Sequence, residues 1–354
     1  MGPPSPTVTA PAGGLATLHP AYFALVMATG IVSIASSIMS IPVVPTLLFA
    51  LNIVFYPVLW GVTVARAIRH RARLIADLSH HGRAVGFFTM VAATCVLGSQ
   101  CIVVGGSPAA AFWFWVVGIF LYVVLTYSVF TALTIKQEKP PLAEGINGGW
   151  LVSVVAAQSV AVLGAQLAPS LAHPEGVLFF SLAMWLGGGM LYLWIISLIF
   201  YRYTFFTMAP SDLAPPYWIN MGAAAISTLA GTMLVGASGR SPVVAQVLPF
   251  VRGFTLMWWA TATWWIPMLL VLGAWRHVFR KFPLRYDPLY WGAVFPLGMY
   301  TAATARLSHA VDAPFLMAIP RLTIFAAVAA WALAFIGMVG GLAVSARHRI
   351  RAGS

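Results

Sequence analysis

Three groups of side chains in this sequence have the residue types that chemistry requires. The first is His80 and His81 with Asp77, a combination that could bind a metal or assist hydrolysis. These residues lie in a basic loop, however, where ordinary solvated side chains are the preferred interpretation. The sequence has no His-Glu-x-x-His, Gly-x-Ser-x-Gly or phosphate-binding loop. We therefore predict no catalytic site, no metal centre and no cofactor, and a protein that is not an enzyme.

The second group consists of hydroxyl, amide and glycine residues inside long apolar segments. Hydroxyl and amide donors can replace part of the hydration shell of an anion without holding it too tightly to leave. The 7 acidic residues all lie away from the centres of the apolar segments, which argues against a path for cations or protons. We predict a path for anions, and for each side chain a hydrogen bond between helices is the alternative. The candidate pore-lining residues are Thr29, Gly30, Ser33, Thr94, Gln158, Asn220, Thr228 and Thr301.

The third group is Phe295 with Pro296, inside the apolar stretch 290–301. Proline removes a backbone donor and clashes with the preceding turn, so we predict a helix kink at this position. The freed carbonyl group needs protein or water as a partner, so Phe295 is predicted to point into an internal path as a gate. A proline-kinked packing helix is the alternative. Arg306, about three turns further on, could attract anions to the outer mouth of that path or anchor the helix at the interface.

Composition determines the class of protein that must position these residues. Apolar residues make up 61 % and charged residues 7 % of the chain, against about 25 % charged residues in soluble proteins. This composition predicts an all-α, multi-pass protein of the cell membrane. At about 20 apolar residues per crossing, we predict ten transmembrane helices. They span residues 20–40, 46–67, 83–104, 110–134, 149–168, 175–200, 216–236, 250–275, 288–308 and 320–344.

The ten segments alternate in character along the chain. The odd-numbered segments are rich in small residues, whereas the even-numbered ones carry aromatic clusters such as 112–115 and 258–265. Small residues let helices approach closely, and bulky aromatic residues suit positions that face lipid. We therefore predict five tandem hairpins, with the odd helices forming an inner pore ring and the even helices an outer belt. Interfacial anchoring is the alternative explanation of the aromatic clusters.

The basic residues predict the orientation, because cytoplasmic loops carry an excess of lysine and arginine. With a cytoplasmic N-terminus, 15 of the 19 basic residues fall on the cytoplasmic side. Both termini are then cytoplasmic. The four basic residues left outside are Arg240, Arg252, Arg306 and Arg321.

The chain is predicted to form one membrane unit with two short tails. Residues 1–18 lack lysine and arginine and are expected to be a disordered tail rather than a signal peptide. Residues 19–346 form the ten-helix membrane transport domain, and residues 347–354 form a basic cytoplasmic tail. The net charge of +12 suits anionic lipid headgroups, and no motif indicates nucleic-acid binding.

Two stretches resemble a known family. Residues 19–31, with the sequence HPAYFALVMATGI, resemble the first-helix signature of the tellurite-resistance/dicarboxylate transporter family. Residues 291–301, with their Phe-Pro-Leu core, resemble its ninth helix. That family includes bacterial tellurite-resistance channel homologues, plant slow anion channels, the yeast malate permease and the fungal sulfite pump. The resemblance implies ten helices in five hairpins, a homotrimer with one pore per subunit, and Phe295 as the pore plug.

The functional prediction combines the polar path with this resemblance. We predict a channel or transporter that moves small anions or C4-dicarboxylates such as malate through a central pore. Efflux of an oxyanion such as tellurite or sulfite is the alternative, and a membrane-embedded enzyme is less favoured. If transport is linked to protons, the proton is expected to travel on the substrate, because no carboxylate is predicted inside the membrane.

Overall fold

The computed structural model describes residues 14–284 and 286–353, with side chains described up to residue 344. All regular secondary structure in these residues is helical. Short helices and turns join the long helices, which we number in chain order. The long helices are α1 Ala24–Ile38, α2 Val44–Arg69, α3 Phe88–Val103, α4 Pro108–Ile135, α5 Val152–Leu167, α6 Glu175–Phe205, α7 Ile219–Ala237, α8 Leu248–Ala274, α9 Trp291–Ala310 and α10 Ala318–Gly353.

Nine helices in the described part of the chain are long and apolar enough to cross a membrane. The remaining long helix is α9, whose 20 residues include Arg306, His309 and several hydroxyl groups. These polar residues lower its hydropathy without shortening it. The predicted positions of the long helices agree with the observed ones to within a few residues, except at the end of α10.

The described residues include only part of the two predicted tails. Of the tail predicted at residues 1–18, residues 1–13 lie outside the described residues, and Leu15–Thr17 form a single 3-10 turn. At the other end, α10 continues without interruption to Gly353. The backbone of residues 347–353 therefore extends the last helix, where we predicted a separate tail.

Burial divides the long helices into two sets. In the apolar windows of α1, α3, α5 and α7, 78 to 94 % of the residues are buried, against 17 to 39 % in α2, α4, α6, α8 and α10. Helix α9 belongs to the first set, since 15 of its residues are buried. We call these five buried helices the central helices and the others the outer helices.

Contacts between helices follow a regular order. Helix α1 contacts α3, and the contacts continue from α3 to α5, α7 and α9 and back to α1. Each outer helix packs mainly on the central helix that precedes it in the chain. The central helices therefore contact one another side by side, and the outer helices cover them.

Glycine allows this close approach at two positions that the site depends on. A Cβ atom at Gly222 of α7 would lie 2.7 Å from Cγ of Pro296 on α9. A Cβ atom at Gly298 would lie 3.1 Å from side-chain atoms of Ile31 and Val32 on α1. Both distances are shorter than an ordinary contact between carbon atoms. The region around Pro296 is thus held between α7 and α1 by contacts that a larger residue would disturb.

Candidate functional site

One cavity lies where the central helices begin, and we call it the basal cavity. Its volume is about 460 Å³, and residues at or before the start of all five central helices line it. The N-terminus of a helix carries a partial positive charge, so five such ends are directed towards the same space. This arrangement favours anions in the basal cavity. Its lining includes His19, Ala24, Gly86, Thr89, Asn147, Val152, Tyr217, Ile219, Leu289 and Gly292.

A second cavity, which we call the distal cavity, lies further along the same five helices. Its volume is about 20 Å³, which is room for about one water molecule. Its lining contains no acidic or basic residue among the side chains that the structure describes. The residues that line it are Ile31, Ile34, Cys95, Val96, Ser99, Ser159, Val162, Gln166, Ile226, Leu229 and Met299.

Phe295 lies between the two cavities on α9. Gly292 lines the basal cavity and Met299 lines the distal one. Positions three and four residues apart share a helix face, so Phe295 lies on the face that joins these two residues. The phenyl ring is 1 % exposed. About 10 Å of helix separates Gly292 from Met299, and Phe295 occupies the middle of that interval.

The polar candidates on α1 and α3 are directed to outer helices. Oγ1 of Thr29 accepts a hydrogen bond of 2.9 Å from the indole of Trp331 on α10. Oγ of Ser33 donates to the carbonyl of Pro45 on α2 at 2.7 Å. Oγ1 of Thr94 lies 2.9 Å from the hydroxyl of Tyr56 on α2. A Cβ atom at Gly30 would contact Val96, Gln100 and Asn52, so this glycine lies at a junction of three helices.

Three candidates on α5, α7 and α9 also form hydrogen bonds to outer helices. Gln158 donates to the carbonyl of Trp185 at 3.0 Å, and Asn220 donates to the hydroxyl of Tyr203 at 3.3 Å, both on α6. Oγ1 of Thr301 lies 2.8 Å from Oγ1 of Thr323 on α10.

Thr228 donates within its own helix, to the carbonyl of Ala224. None of the eight candidates is among the residues that line either cavity. For these residues the contacts favour the alternative interpretation, hydrogen bonding between or within helices.

Of the loop group Asp77, His80 and His81, only Asp77 differs from the solvated side chains that we predicted, since His80 is exposed and His81 is partly exposed. Asp77 is buried, and its carboxylate accepts hydrogen bonds from Arg66 at 2.7 Å and from Arg83 at 2.6 Å. Burial alone would raise the pKa of Asp77, but the hydrogen bonds and charges of the two arginines hold it below its ordinary value. The reason for the error is that Arg66 and Arg83 lie far apart in sequence and meet only in the fold.

The same arginines fix the N-terminal wall of the basal cavity. Arg66 donates to the carbonyl of Ala16, and Arg83 donates to the carbonyl of Leu18. The next residue, His19, lines the cavity. Burial and then the charge of Arg83 lower the pKa of His19 to about 4, so its imidazole is neutral at pH 7. This histidine contributes no charge to the cavity at neutral pH.

The comparison with known families decides the class of this site. The family described as voltage-dependent anion channel, SLAC1, matches residues 17–339. The chain belongs to this family. The match covers all five central helices, both cavities and Phe295. The resemblance expected from residues 19–31 and 291–301 is confirmed.

Individual relatives extend over much of the chain. A protein of Mycobacterium tuberculosis described as an uncharacterised membrane protein is 37 % identical over 155 residues, 44 % of this chain and 78 % of the relative. A Methanocaldococcus jannaschii protein described as an uncharacterised transporter is 28 % identical over 295 residues, 80 % of this chain and 82 % of the relative. A sulfite efflux pump of Trichophyton rubrum is 23 % identical over 346 residues, 91 % and 90 % of the two chains.

These names describe channels and transporters, and they indicate a membrane transport protein rather than an enzyme. The described residues include no group of three or more His, Cys, Asp or Glu that could hold a metal ion.

Sequence reasoning did not select several residues that line the cavities. Ser99 and Gln166 line the distal cavity, and Arg202 lines the basal one. Arg202 was counted only as a residue that favours a cytoplasmic loop, because it follows an outer apolar segment. The charged end of a long side chain can reach several residues away from its backbone, and a contact of that kind leaves no signal in the sequence pattern.

Proposed function

We propose that this protein moves small anions across the cell membrane along the axis of its five central helices, and that Phe295 closes the path. The supporting observation is that the basal and distal cavities are lined by the same five helices, and that Phe295 lies on α9 between Gly292 of the first lining and Met299 of the second. A buried phenyl ring blocks passage sterically and keeps the constriction free of water. Pro296 and Gly222 hold the ring in position through the contact between α9 and α7.

The proposed membrane arrangement has ten crossings in five hairpins, with the central helices as a pore ring and the outer helices as a lipid-facing belt. Helix α9 is then the tenth crossing, shielded from lipid by its neighbours, which accounts for its tolerance of polar residues. The basal end is proposed to be cytoplasmic, with both termini on that side, because most of the basic residues follow outer helices or precede central ones. Assembly as a homotrimer remains a prediction from the family resemblance.

The proposed substrate is a small anion. No carboxylate lines the distal cavity in the part of the chain that the structure describes, and Ser99, Ser159 and Gln166 offer neutral polar groups. A cavity of about 20 Å³ must widen less for an inorganic anion than for a C4-dicarboxylate such as malate. Sulfite is therefore the first oxyanion to test, in keeping with relatives named sulfite efflux pumps, and tellurite is the second. Arg306, exposed near the distal end of α9, remains a candidate for attracting anions there.

The gate is tested by replacing Phe295 with alanine. Purified protein is placed in liposomes, and chloride and sulfite fluxes are measured under an imposed gradient. We expect a rise of about tenfold or more, because an aromatic block that costs about 1.4 kcal/mol or more is removed. Phe325→Ala is the matched control, since Phe325 lies on α10 with 68 % of its surface exposed. An increase in both variants, or in neither, would contradict the proposed gate.

The substrate is tested on the Phe295→Ala protein with a panel of chloride, nitrate, sulfite, tellurite and malate. We expect small anions to pass faster than malate. A malate flux that responds to an imposed pH gradient while the chloride flux does not would instead indicate a proton-coupled carrier, with the proton carried on the substrate.

A further inference from the structure

The basal cavity contains one buried cation among the described residues that line it. Arg202, near the end of α6, has a guanidinium group that is 8 % exposed. Its Nε donates to the carbonyl of Ala143 at 2.6 Å, and its Nη1 donates to the hydroxyl of Tyr217 at 2.9 Å and contacts Sδ of Met208. These three partners are uncharged, so they fix the orientation of the guanidinium without neutralising it. A buried charge requires a compensating charge, and the position of that charge determines what the site can bind.

The compensating group is Asp212, and its ion pair with Arg202 is loose. Oδ2 of Asp212 lies 3.5 Å from Nη2 of Arg202, and the carboxylate side chain is 34 % exposed. A charge-assisted hydrogen bond between these groups is ordinarily about 2.7 to 2.9 Å long. The pairs of Asp77 with Arg66 and Arg83 reach 2.7 and 2.6 Å. Of these ion pairs, the pair of Arg202 with Asp212 therefore has the longest distance and the most exposed carboxylate.

Asp212 belongs to a partly exposed segment. It lies in the loop between α6 and α7, and its Oδ2 accepts a second hydrogen bond from the backbone of Ala209 at 3.0 Å. Both Arg202 and Asp212 line the basal cavity. An anion in the cavity therefore has access to the same Nη2 edge that Asp212 occupies.

We propose that Arg202 is the anion-binding residue of the basal cavity and that Asp212 is a tethered carboxylate that competes with the transported anion for it. This inference rests on the proposed function and specifies its inner binding site. The planar guanidinium matches two oxygen atoms of one ligand, so the preferred ligands are oxyanions and carboxylates rather than halides. Competition by Asp212 keeps the affinity low enough for the anion to leave, which a transport path requires.

The test measures binding in the absence of transport, with sulfite and chloride as the probes. Isothermal titration calorimetry is performed on the purified full chain in detergent at constant ionic strength. For sulfite, we expect Asp212→Asn to lower Kd about threefold, because it removes the competitor but leaves Arg202 in place. We expect Arg202→Gln to raise Kd about tenfold or more.

Two further variants separate this mechanism from general charge effects and from misfolding. Glu144→Gln removes another carboxylate of the same cavity that forms no ion pair among the described residues, and it should change Kd less than Asp212→Asn does. Arg202→Lys keeps the positive charge but lacks the planar guanidinium group, so it should reduce the preference for sulfite over chloride. A structural role for the pair predicts weaker binding in every variant, whereas competition predicts binding that is tighter in Asp212→Asn than in Glu144→Gln.

Equal effects of Asp212→Asn and Glu144→Gln, unchanged binding in Arg202→Gln, or no measurable sulfite binding to the Asp212→Asn protein would each overturn the inference. The proposed function fails separately, in the flux assay on Phe295→Ala. Binding that follows the expected order with an unchanged flux in that variant would retain the binding site and reject the gate. Binding that does not follow the expected order, together with a raised flux in Phe295→Ala, would retain the gate and reject this site.

Discussion

The basal and distal cavities are built from the same five helices but differ in size and in charge. The basal cavity has a volume of about 460 Å³ and includes Arg202, Asp212 and Glu144, whereas the distal cavity has about 20 Å³ and a neutral lining. A wide, charged space suits the capture of an anion, and a narrow, neutral one suits selection by size and by the cost of dehydration. Under the proposed function, capture and selection are separate tasks that are divided at Phe295.

The largest expected effect concerns the wall of the basal cavity. Asp77→Asn leaves Arg66 and Arg83 without their shared carboxylate, and we expect the free energy of unfolding to fall by about 3 kcal/mol. The segment that leads to His19 would then lose the hydrogen bonds from the two arginines, and the basal cavity would lose its defined shape. The measurement is thermal unfolding of the purified protein in detergent.

Glu138→Gln is the matched control for Asp77→Asn, because Glu138 is exposed and forms no ion pair among the described side chains. The pH dependence gives a second check. The pKa of Asp77 is lowered from the ordinary 3.8, so its stabilisation is complete above that pH and is lost as the pH falls through the folded value. Asp77→Asn should lack this acid-dependent loss, and equal acid sensitivity of the two proteins would argue against the ion pair.

An intermediate effect is expected at the division between the two cavities. Gly222→Ala places a methyl group 2.7 Å from Cγ of Pro296, so α7 and α9 must separate. We expect a loss of about 2 kcal/mol in stability and a raised anion leak, because the same contact holds Phe295. The measurements are thermal unfolding and chloride flux in liposomes.

Gly236→Ala provides the control on the same helix, since a Cβ atom at Gly236 has nothing within 4 Å. There we expect a small stabilisation, up to about 1 kcal/mol, because alanine favours the helix. The contact with Pro296 would not explain the stability of this region if Gly236→Ala were destabilised. The same conclusion would follow if Gly222→Ala kept its stability and showed no raised chloride flux.

The smallest effect is expected in the distal cavity. In the Phe295→Ala background, Met299→Ala should widen that cavity and raise the ratio of malate flux to chloride flux by roughly fivefold. This factor is somewhat smaller than the discrimination that one methylene group provides in a rigid pocket, because a path that is open at both ends fits its ligand less tightly. Met257→Ala, on the partly exposed face of α8, is the control. An unchanged ratio of malate flux to chloride flux would indicate that anions are selected elsewhere along the five central helices.

The sequence by itself determined the class of fold and the roles of the helices. Its low charge content required membrane helices, and the alternation of small and aromatic residues distinguished the central helices from the outer ones, because close approach requires small side chains. The adjacent Phe295 and Pro296 distinguished α9 in the sequence, since a proline inside a helix removes one backbone donor.

Only the tertiary structure decided which face of each central helix is directed to the axis. These helices are buried on nearly all sides, so no polar stripe distinguishes the inner face from the outer one. Thr29 and Ser33 therefore resembled pore residues in sequence, although they bond to outer helices. The same limit applies to Arg202, because its proposed role depends on an outer-helix side chain that reaches a cavity lined by the ends of five other helices.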